Sequence, residues 1–399
     1  MTVNIFEMKN TIKNYAWGSK IFLSKLMRTD APINTPQAEL WMGTHKQGVS
    51  KIKRIGDKDH TWDSLENIIT EQKEQMLGRY VAKNFEGQLP FLFKVLAIDH
   101  PLSIQVHPNA KQAKQGFANE NRQSIPLTAA NRNFKDEHDK PELIVALTPL
   151  WAMCGFLPFE TIKNNFKTIA GDYLFKIKHS EKSSNEISTF FYNLLHLSNS
   201  EIITLITSAV NFASKQEDKI HWQWVKKLSS LYKDDVGVLA PLFLNTVCLK
   251  PYEAIFIQPG VLHAYLDGNA VEIMCNSDNV IRGGLTVKHI DKEKLIEIVT
   301  FNSEEVHYIE PVEKKSNEWL YKTPAISFLL SRYNIKKIIE TIVKGPEILL
   351  CIKGEVIIRQ NNVEHCLKSG MSVFVAHSAK SYTLDGNGEI FKAFIENQE

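Results

Sequence analysis

Apolar and polar positions follow two different periods along this chain, and the period changes twice. From Pro90 to His107 the stretch "PFLFKVLAIDHPLSIQVH" is apolar and β-branched, broken once at Asp99-His100-Pro101. It predicts two strands with a tight connection. In the second, Leu102, Ile104 and Val106 alternate with Ser103, Gln105 and His107, so the polar three share one face, toward water or toward a cavity that wants polar groups. Between 157 and 239 the spacing turns helical. In "SNSEIITLITSAVNFASK" the residues Ile202, Leu205, Ile206, Ala209 and Val210 recur with helical period behind a cap expected at Ser200. An all-helical insertion is predicted there, with the polar run His179–Glu186 as a mobile loop inside it.

After Pro241 the strand texture returns, and with it an internal repeat. "CLKPYEAIFIQPGVLHAY" from Cys248 and "CLKSGMSVFVAHSAKSYT" from Cys366 align without gaps, each reading strand, turn, strand, turn, strand. His263 in the first copy faces Ser381 in the second. If both copies close into small barrels, the first has kept a ligand that the second lacks.

Composition narrows the function classes. The chain has 399 residues, 43% hydrophobic and 23% charged, with a formal net charge of +2, an ordinary globular balance sized for two or three domains. Basic and acidic residues are interspersed, which leaves no electrostatic footprint for nucleic acid. No apolar run approaches the ~20 residues of a membrane span, and the N-terminus lacks a secretory pattern. Five scattered cysteines without a CxxC pair suggest reduced thiols rather than a disulfide framework or a thiolate zinc site. A cytoplasmic protein with a small-molecule partner is expected, and a monomer.

Three places supply candidate metal ligands. The strand face offers Gln105 and His107; "KPELIVAL" offers Glu142 at a strand mouth; "QPGVLHAY" offers His263 after a Pro-Gly turn. Nitrogen and oxygen donors in such a set suit a divalent cation. A lone histidine is more often a satisfied polar group than a ligand, and a neutral amide is an uncommon zinc donor. Spacing alone permits a site, with His263 the strongest single signal.

"NYAWGS" at Asn14, "AELWMGTH" at Ala38, "PLSIQVHPN" at Pro101, "KPEL" at Lys140 and "HAYLDGNAVEIMCNSDNVIRGGLT" at His263 together resemble the type I mannose-6-phosphate isomerases. The motifs fall in order and the resemblance covers essentially the whole chain. It implies a mainly β fold of cupin-type (double-stranded β-helix, or jelly-roll) barrels. The expected grouping is a metal-bearing domain from residues 1–156 plus 240–310, a helical insertion at 157–239, and a metal-free cupin-like domain at 311–399. It implies one Zn²⁺ per chain on Gln105, His107, Glu142 and His263, and interconversion of mannose 6-phosphate and fructose 6-phosphate through a cis-enediol, feeding activated-sugar synthesis. The family's catalytic arginine falls at Arg282, whose permanent charge suits an enediolate or a phosphate. Lys140, Asp278 and Glu272 are the acid/base candidates, and the choice among them stays open. Ser103 and Lys288 are expected on the phosphosugar, with Trp17 and Trp41 as pocket aromatics.

The chain departs from the family pattern in places. Where the family has Asn-His before Lys-Pro-Glu, this chain has His138-Asp139, which puts the role of that family histidine in doubt. "RGGLTVK" lacks a proline the family carries, and Cys275 replaces a small residue. Retained activity, at or below the family's level, is the expectation. The rivals are an iron-dependent oxygenase, against which Gln105 argues, and a sugar-phosphate-binding regulator without turnover.

Overall fold

The computed structural model describes residues 3–29, 34–57, 61–176, 185–303, 305–314 and 317–396. Its organising element is the long strand His263–Cys275, which pairs antiparallel with Phe91–Ile98 and Glu142–Ala146 over its second half. Over its first half it pairs with Leu150–Phe156, and at His263 with Ile104–Val106. The change of partners occurs at Gly268. Its φ is +122°, and a Cβ there would collide with the Pro149 carbonyl, so only glycine makes this corner. Strand Ile104–Val106 is completed on its other side by Ile281–Gly284. These pairings close the first barrel, and the fold is mainly β with cupin-type units.

The two strands expected between Pro90 and His107 are Phe91–Ile98 and Ile104–Val106. The second is shorter than its alternation suggested, because Leu102 and Ser103 belong to the connection. Its apolar face, Ile104 and Val106, is buried in a cluster with Val238, Leu239, Leu262 and Leu285. Burial of that face points Gln105 the other way.

Helices fill most of the region expected to be helical: Phe159–Ala170, Glu186–Leu195, Asn199–Ala213 and Ile220–Leu231. They share one core with the Leu150–Phe156 and Leu244–Leu249 strands, through Phe156, Phe166, Phe190, Phe191 and Leu244. The cap of Asn199–Ala213 is Ser198, not Ser200: Ser198 Oγ accepts from the Glu201 amide while Glu201 Oε2 accepts from the Ser198 amide. This reciprocal capping box satisfies two groups at once and sets the start. Of the predicted loop His179–Glu186, residues 179–184 lie outside the described residues, Asn185 caps the next helix and Glu186 begins it. No described helix is long and apolar enough to cross a membrane.

The repeat folds as a repeat. Leu244–Leu249, Ala254–Ile257 and His263–Cys275 correspond to Val363–Lys368, Ser372–Val375 and Ser381–Phe394, and Gly386, with φ +125°, turns the corner that Gly268 turns in the first copy. One connection was not anticipated. Ile5–Lys9 pairs with Ser372–Val375 on one side and Lys51–Arg54 on the other, so the first strand lies in the C-terminal sheet rather than in that of the first barrel. Phe6, Val95, Val145, Val271, Ile348, Phe374 and Phe391 form one buried cluster, which makes the two barrels share a core.

Candidate metal centre

The first barrel's strands deliver three ligand types to one buried point. Glu142 opens its strand, His263 opens the long strand after the Pro259-Gly260 turn, and His107 follows Ile104–Val106. Their ligand atoms all lie within 4.8 Å of one another, and each of the three side chains is buried. His107 Nε2 is 3.1 Å from Glu142 Oε1 and His263 Nε2 is 3.5 Å from Oε2. Gln105 pairs directly with His263, and its amide nitrogen stands 3.4 Å from His263 Nε2.

Each imidazole is turned by its far nitrogen. His107 Nδ1 lies 2.7 Å from the Asn279 carbonyl and His263 Nδ1 lies 2.9 Å from the Val261 carbonyl. A carbonyl can only accept, so Nδ1 carries the proton in both rings and Nε2 keeps its lone pair toward Glu142. His107 Nε2 is buried and makes no hydrogen bond, although it stands at ion-pair distance from the carboxylate. A buried polar atom left in this state asks for a ligand.

Electrostatics prepares the same donors. Burial and Lys140 push the His107 ring down to about 4, which keeps it neutral. Burial works against ionisation of Glu142, but the charge of Lys140, with Nζ 3.1 Å from Oε1, leads the interactions that outweigh it and hold the carboxyl well below its usual range. Tyr265 also donates to Glu142 Oε2 at 3.3 Å. Two imidazoles with Nε2 turned inward and an ionised carboxylate, converging at one buried point, fit a divalent cation with nitrogen and oxygen ligands.

Around this point the structure gathers most of the other candidates. Arg282 is the direct cross-strand neighbour of Gln105, so both side chains leave the sheet on one face. Lys288 is exposed; its ammonium is held below its usual range by partial burial and by the charges of Arg282 and Lys135. Ser103 lies one position before the short strand, half-buried. Glu272 is buried against Lys94, Nζ to Oε2 2.9 Å, and burial and Glu142 raise its carboxyl above the usual range against the pull of Lys94. Asp278 is engaged differently. Burial would raise it, but His45, 3.2 Å away, together with Lys140 and Gln47, holds it below its usual range. Trp17 is half-buried on the cluster containing Tyr265, and its carbonyl accepts from the Asp99 and His100 amides. Trp41 is buried, its Nε1 donating to Glu39 and its ring 5.4 Å from Lys94 Nζ. His138 and Asp139 instead line a separate cleft with Cys275, Phe256 and Ile326.

Two residues of the site were not singled out in the sequence. Lys94 is one, although a lysine inside the apolar run "PFLFKVLAI" is itself a signal. Asn279 is the other. It is fully buried, its Nδ2 donates to the Asp136 and His138 carbonyls, its Oδ1 accepts from the Lys135 and Asp136 amides, and its own carbonyl holds His107.

A family model for the catalytic domain of type I phosphomannose isomerase matches residues 5–159, and one for the mannose-6-phosphate isomerase cupin domain matches residues 327–395. The chain is 38% identical over 394 residues to a mannose-6-phosphate isomerase of Escherichia coli (strain K12), covering 96% of this chain and 98% of that one. It is 31% identical over 389 residues to the Homo sapiens mannose-6-phosphate isomerase, 88% of each. Among solved structures it matches a zinc-bound holo mannose 6-phosphate isomerase with a TM-score of 0.90 at 36% identity, covering 98% of this chain and 100% of that one. The apo form from Salmonella typhimurium matches with a TM-score of 0.89 at 36% identity, over 98% and 99%. With its fold, its convergent His-Glu-His group and these relatives in agreement, the chain belongs to the type I mannose-6-phosphate isomerases.

Proposed function

We propose that this chain interconverts D-mannose 6-phosphate and D-fructose 6-phosphate, using one Zn²⁺ held by Gln105, His107, Glu142 and His263. The observation that carries the reading is the buried convergence of His107 Nε2, His263 Nε2 and an ionised Glu142, beside a second buried pair, Lys94 and Glu272. When bound there, Zn²⁺ supplies a Lewis acid for the oxygens on C1 and C2 of the open-chain sugar. Gln105 adds a donor without charge, which leaves the centre net positive.

The chain's own residues account for the remaining steps. Arg282, Lys288 and Lys135 form a cationic rim for the 6-phosphate, with the Ser103 hydroxyl as a further donor. That anchors the sugar with its reacting carbons toward the barrel interior. Isomerisation moves the proton on C2 away while O1 is protonated, passes through a cis-enediol, and returns a proton to C1 while O2 gives up its hydroxyl proton to become the ketose carbonyl. Of the acid/base candidates, Glu272 suits this task best, because its raised carboxyl can both take and return a proton. Asp278, which His45 holds below its usual range, is the weaker base, and Lys140 is turned to the ligand Glu142. Lys140 adds positive charge where enediolate oxygen develops. The His138-Asp139 substitution sits in a different cleft, which supports retained turnover.

The same reading takes the enzyme as a cytoplasmic monomer acting on a free phosphosugar and supplying mannose 6-phosphate for activated-sugar synthesis. The test is a coupled assay that follows fructose 6-phosphate formed from mannose 6-phosphate, before and after chelation. Activity that disappears with the chelator and returns with Zn²⁺ is expected. No turnover in zinc-replete protein would overturn the isomerase reading, and turnover unchanged after complete metal removal would overturn the zinc assignment.

A further inference from the structure

The mouth of the C-terminal barrel is the topological counterpart of the metal centre, and it is neither filled nor apolar. In the first barrel Glu142 pairs with Ile257; in the second Glu347 pairs with Val375, which aligns with Ile257 in the repeat. Strand register extends the match. Glu142 faces Met274, and Ile144 faces Glu272, which faces Lys94; Glu347 faces Phe394, and Leu349 faces Lys392, which faces Ser331. Glu347 and Lys392 therefore stand where Glu142 and Glu272 stand. The nitrogen donors have no such survivors. Ser381 replaces His263, and the residue paired with it, in the place of Gln105, is Ile342.

What remains is a cavity of about 730 Å³ with a polar floor. Lys392 is buried, and its ammonium stands 3.8 Å from Glu318 Oε1 and 4.0 Å from Glu347 Oε1, with no hydrogen bond among the described residues. Glu347 is also buried, with one oxygen taken by the Tyr382 hydroxyl at 2.7 Å. The Thr341 hydroxyl, on the cavity wall, and the Ser331 hydroxyl, beside Lys392, are buried without a hydrogen-bond partner. Buried ions spaced just beyond hydrogen-bond contact, with two idle hydroxyls around them, are costly unless something polar enters between them.

We propose that this mouth is a second, metal-free binding site that takes a neutral saccharide. A ligand hydroxyl placed between Lys392 and Glu347 accepts from the ammonium and donates to the carboxylate, and vicinal hydroxyls repeat this toward Glu318 and Thr341. A sugar ring offers that alternation of donor and acceptor at adjacent carbons. Charge selects against its phosphorylated form. At the floor the ammonium is already shared by two carboxylates, so an anion would meet them as well, and the full lining, with Lys314, Lys322 and Lys344 beside Lys392 and Glu340 and Glu396 beside Glu318 and Glu347, is balanced in charge rather than cationic. The exposed Ile342 at the rim gives apolar surface for the C–H face of the ring.

The test uses the full chain with isoleucine-methyl labelling, titrated with D-mannose, D-glucose and mannotriose, and with inorganic phosphate and mannose 6-phosphate for comparison. The Ile339 and Ile342 methyl signals are expected to shift and saturate with a neutral sugar, both in the native chain and in His263→Ala. Lys392→Met should weaken that binding about tenfold or more, the effect of losing a charged hydrogen-bond donor. Ile342→Trp, at an exposed rim position where folding is not at stake, should block it and leave isomerase turnover unchanged. Tighter binding of mannotriose than of the monosaccharides would mark a chain end as the natural ligand, and equal binding would mark a free sugar. Absence of saturable shifts, binding that survives Ile342→Trp, or phosphate competing better than the sugars would each overturn the proposal.

Discussion

At the scale of single residues, the centre depends on a residue that touches no proposed ligand atom. Asn279 uses its side chain to fix the 135–138 segment and its carbonyl to hold the His107 ring. Asn279→Ala keeps that carbonyl but removes the side-chain hydrogen bonds that fix it, so the ring should be held less firmly and metal affinity should fall by about 10-fold, the low end of what disturbing an outer partner costs. Competition against a zinc chelator measures this, and native affinity in the variant would refute the role. Cys275 shows the opposite kind of residue, one whose chemistry burial removes. Burial pushes its thiol up to about 12, only partly offset by the Ser327 hydroxyl 2.9 Å away. The folded chain then keeps a proton that the unfolded chain releases near 9, so the stabilising contribution is complete below that pH and is lost as pH rises toward 12. At pH 8.5 almost none of Cys275 is then thiolate. Iodoacetamide should modify the exposed Cys366 long before Cys275, and equal rates would contradict the assignment.

At the scale of elements, what could be read in the sequence followed how local the cause was. The face shared by Gln105 and His107 was legible because a strand's period is two, and the position of His263 was legible because Pro259-Gly260 announces a turn. Asn279 was not, since its value lies in a register that brings residue 279 to residues 107 and 135–138. Lys94 gave a signal without a partner: the pattern shows a lysine among apolar residues, but only the pairing of Phe91–Ile98 with His263–Cys275 supplies Glu272. The helix cap was legible and misplaced. Ser198 and Ser200 are both good caps, and Glu201, three residues after Ser198, decides between them. Ser198→Ala should therefore cost about 1 kcal/mol and lower the unfolding midpoint by about 2 °C, while Ser200→Ala should cost far less. Thermal unfolding of the two variants checks this, with isomerase activity at 25 °C unchanged in both; equal losses would return the cap to Ser200.

At the scale of the whole molecule, the largest departure from the sequence-based grouping is the position of the first strand. A pairing between Ile5–Lys9 and Ser372–Val375 leaves no local trace, because neither strand's pattern names its neighbour. Its energetic consequence is large. Without Ile5–Lys9, Ser372–Val375 would present an open edge and Phe374, Phe391, Ile348 and Leu350 would lose the cover of Phe6 and Met8; without the first barrel as a whole they would also lose Val95, Val145 and Val271. The C-terminal barrel is thus a repeat of the first in topology whose sheet edge and core are completed by the rest of the chain. Residues 311–399 produced alone should give no cooperative unfolding transition and should bind hydrophobic dyes, whereas in the full chain the amides of Ile5–Lys9 and Ser372–Val375 should open together in hydrogen exchange. A sharp two-state transition in the isolated segment would show that its own core suffices. Loss of protection from Ile5–Lys9 well before Ser372–Val375 would show that the strand is an addition to a finished sheet, and the coupling between the two barrels would then have to reside in the shared side-chain cluster alone.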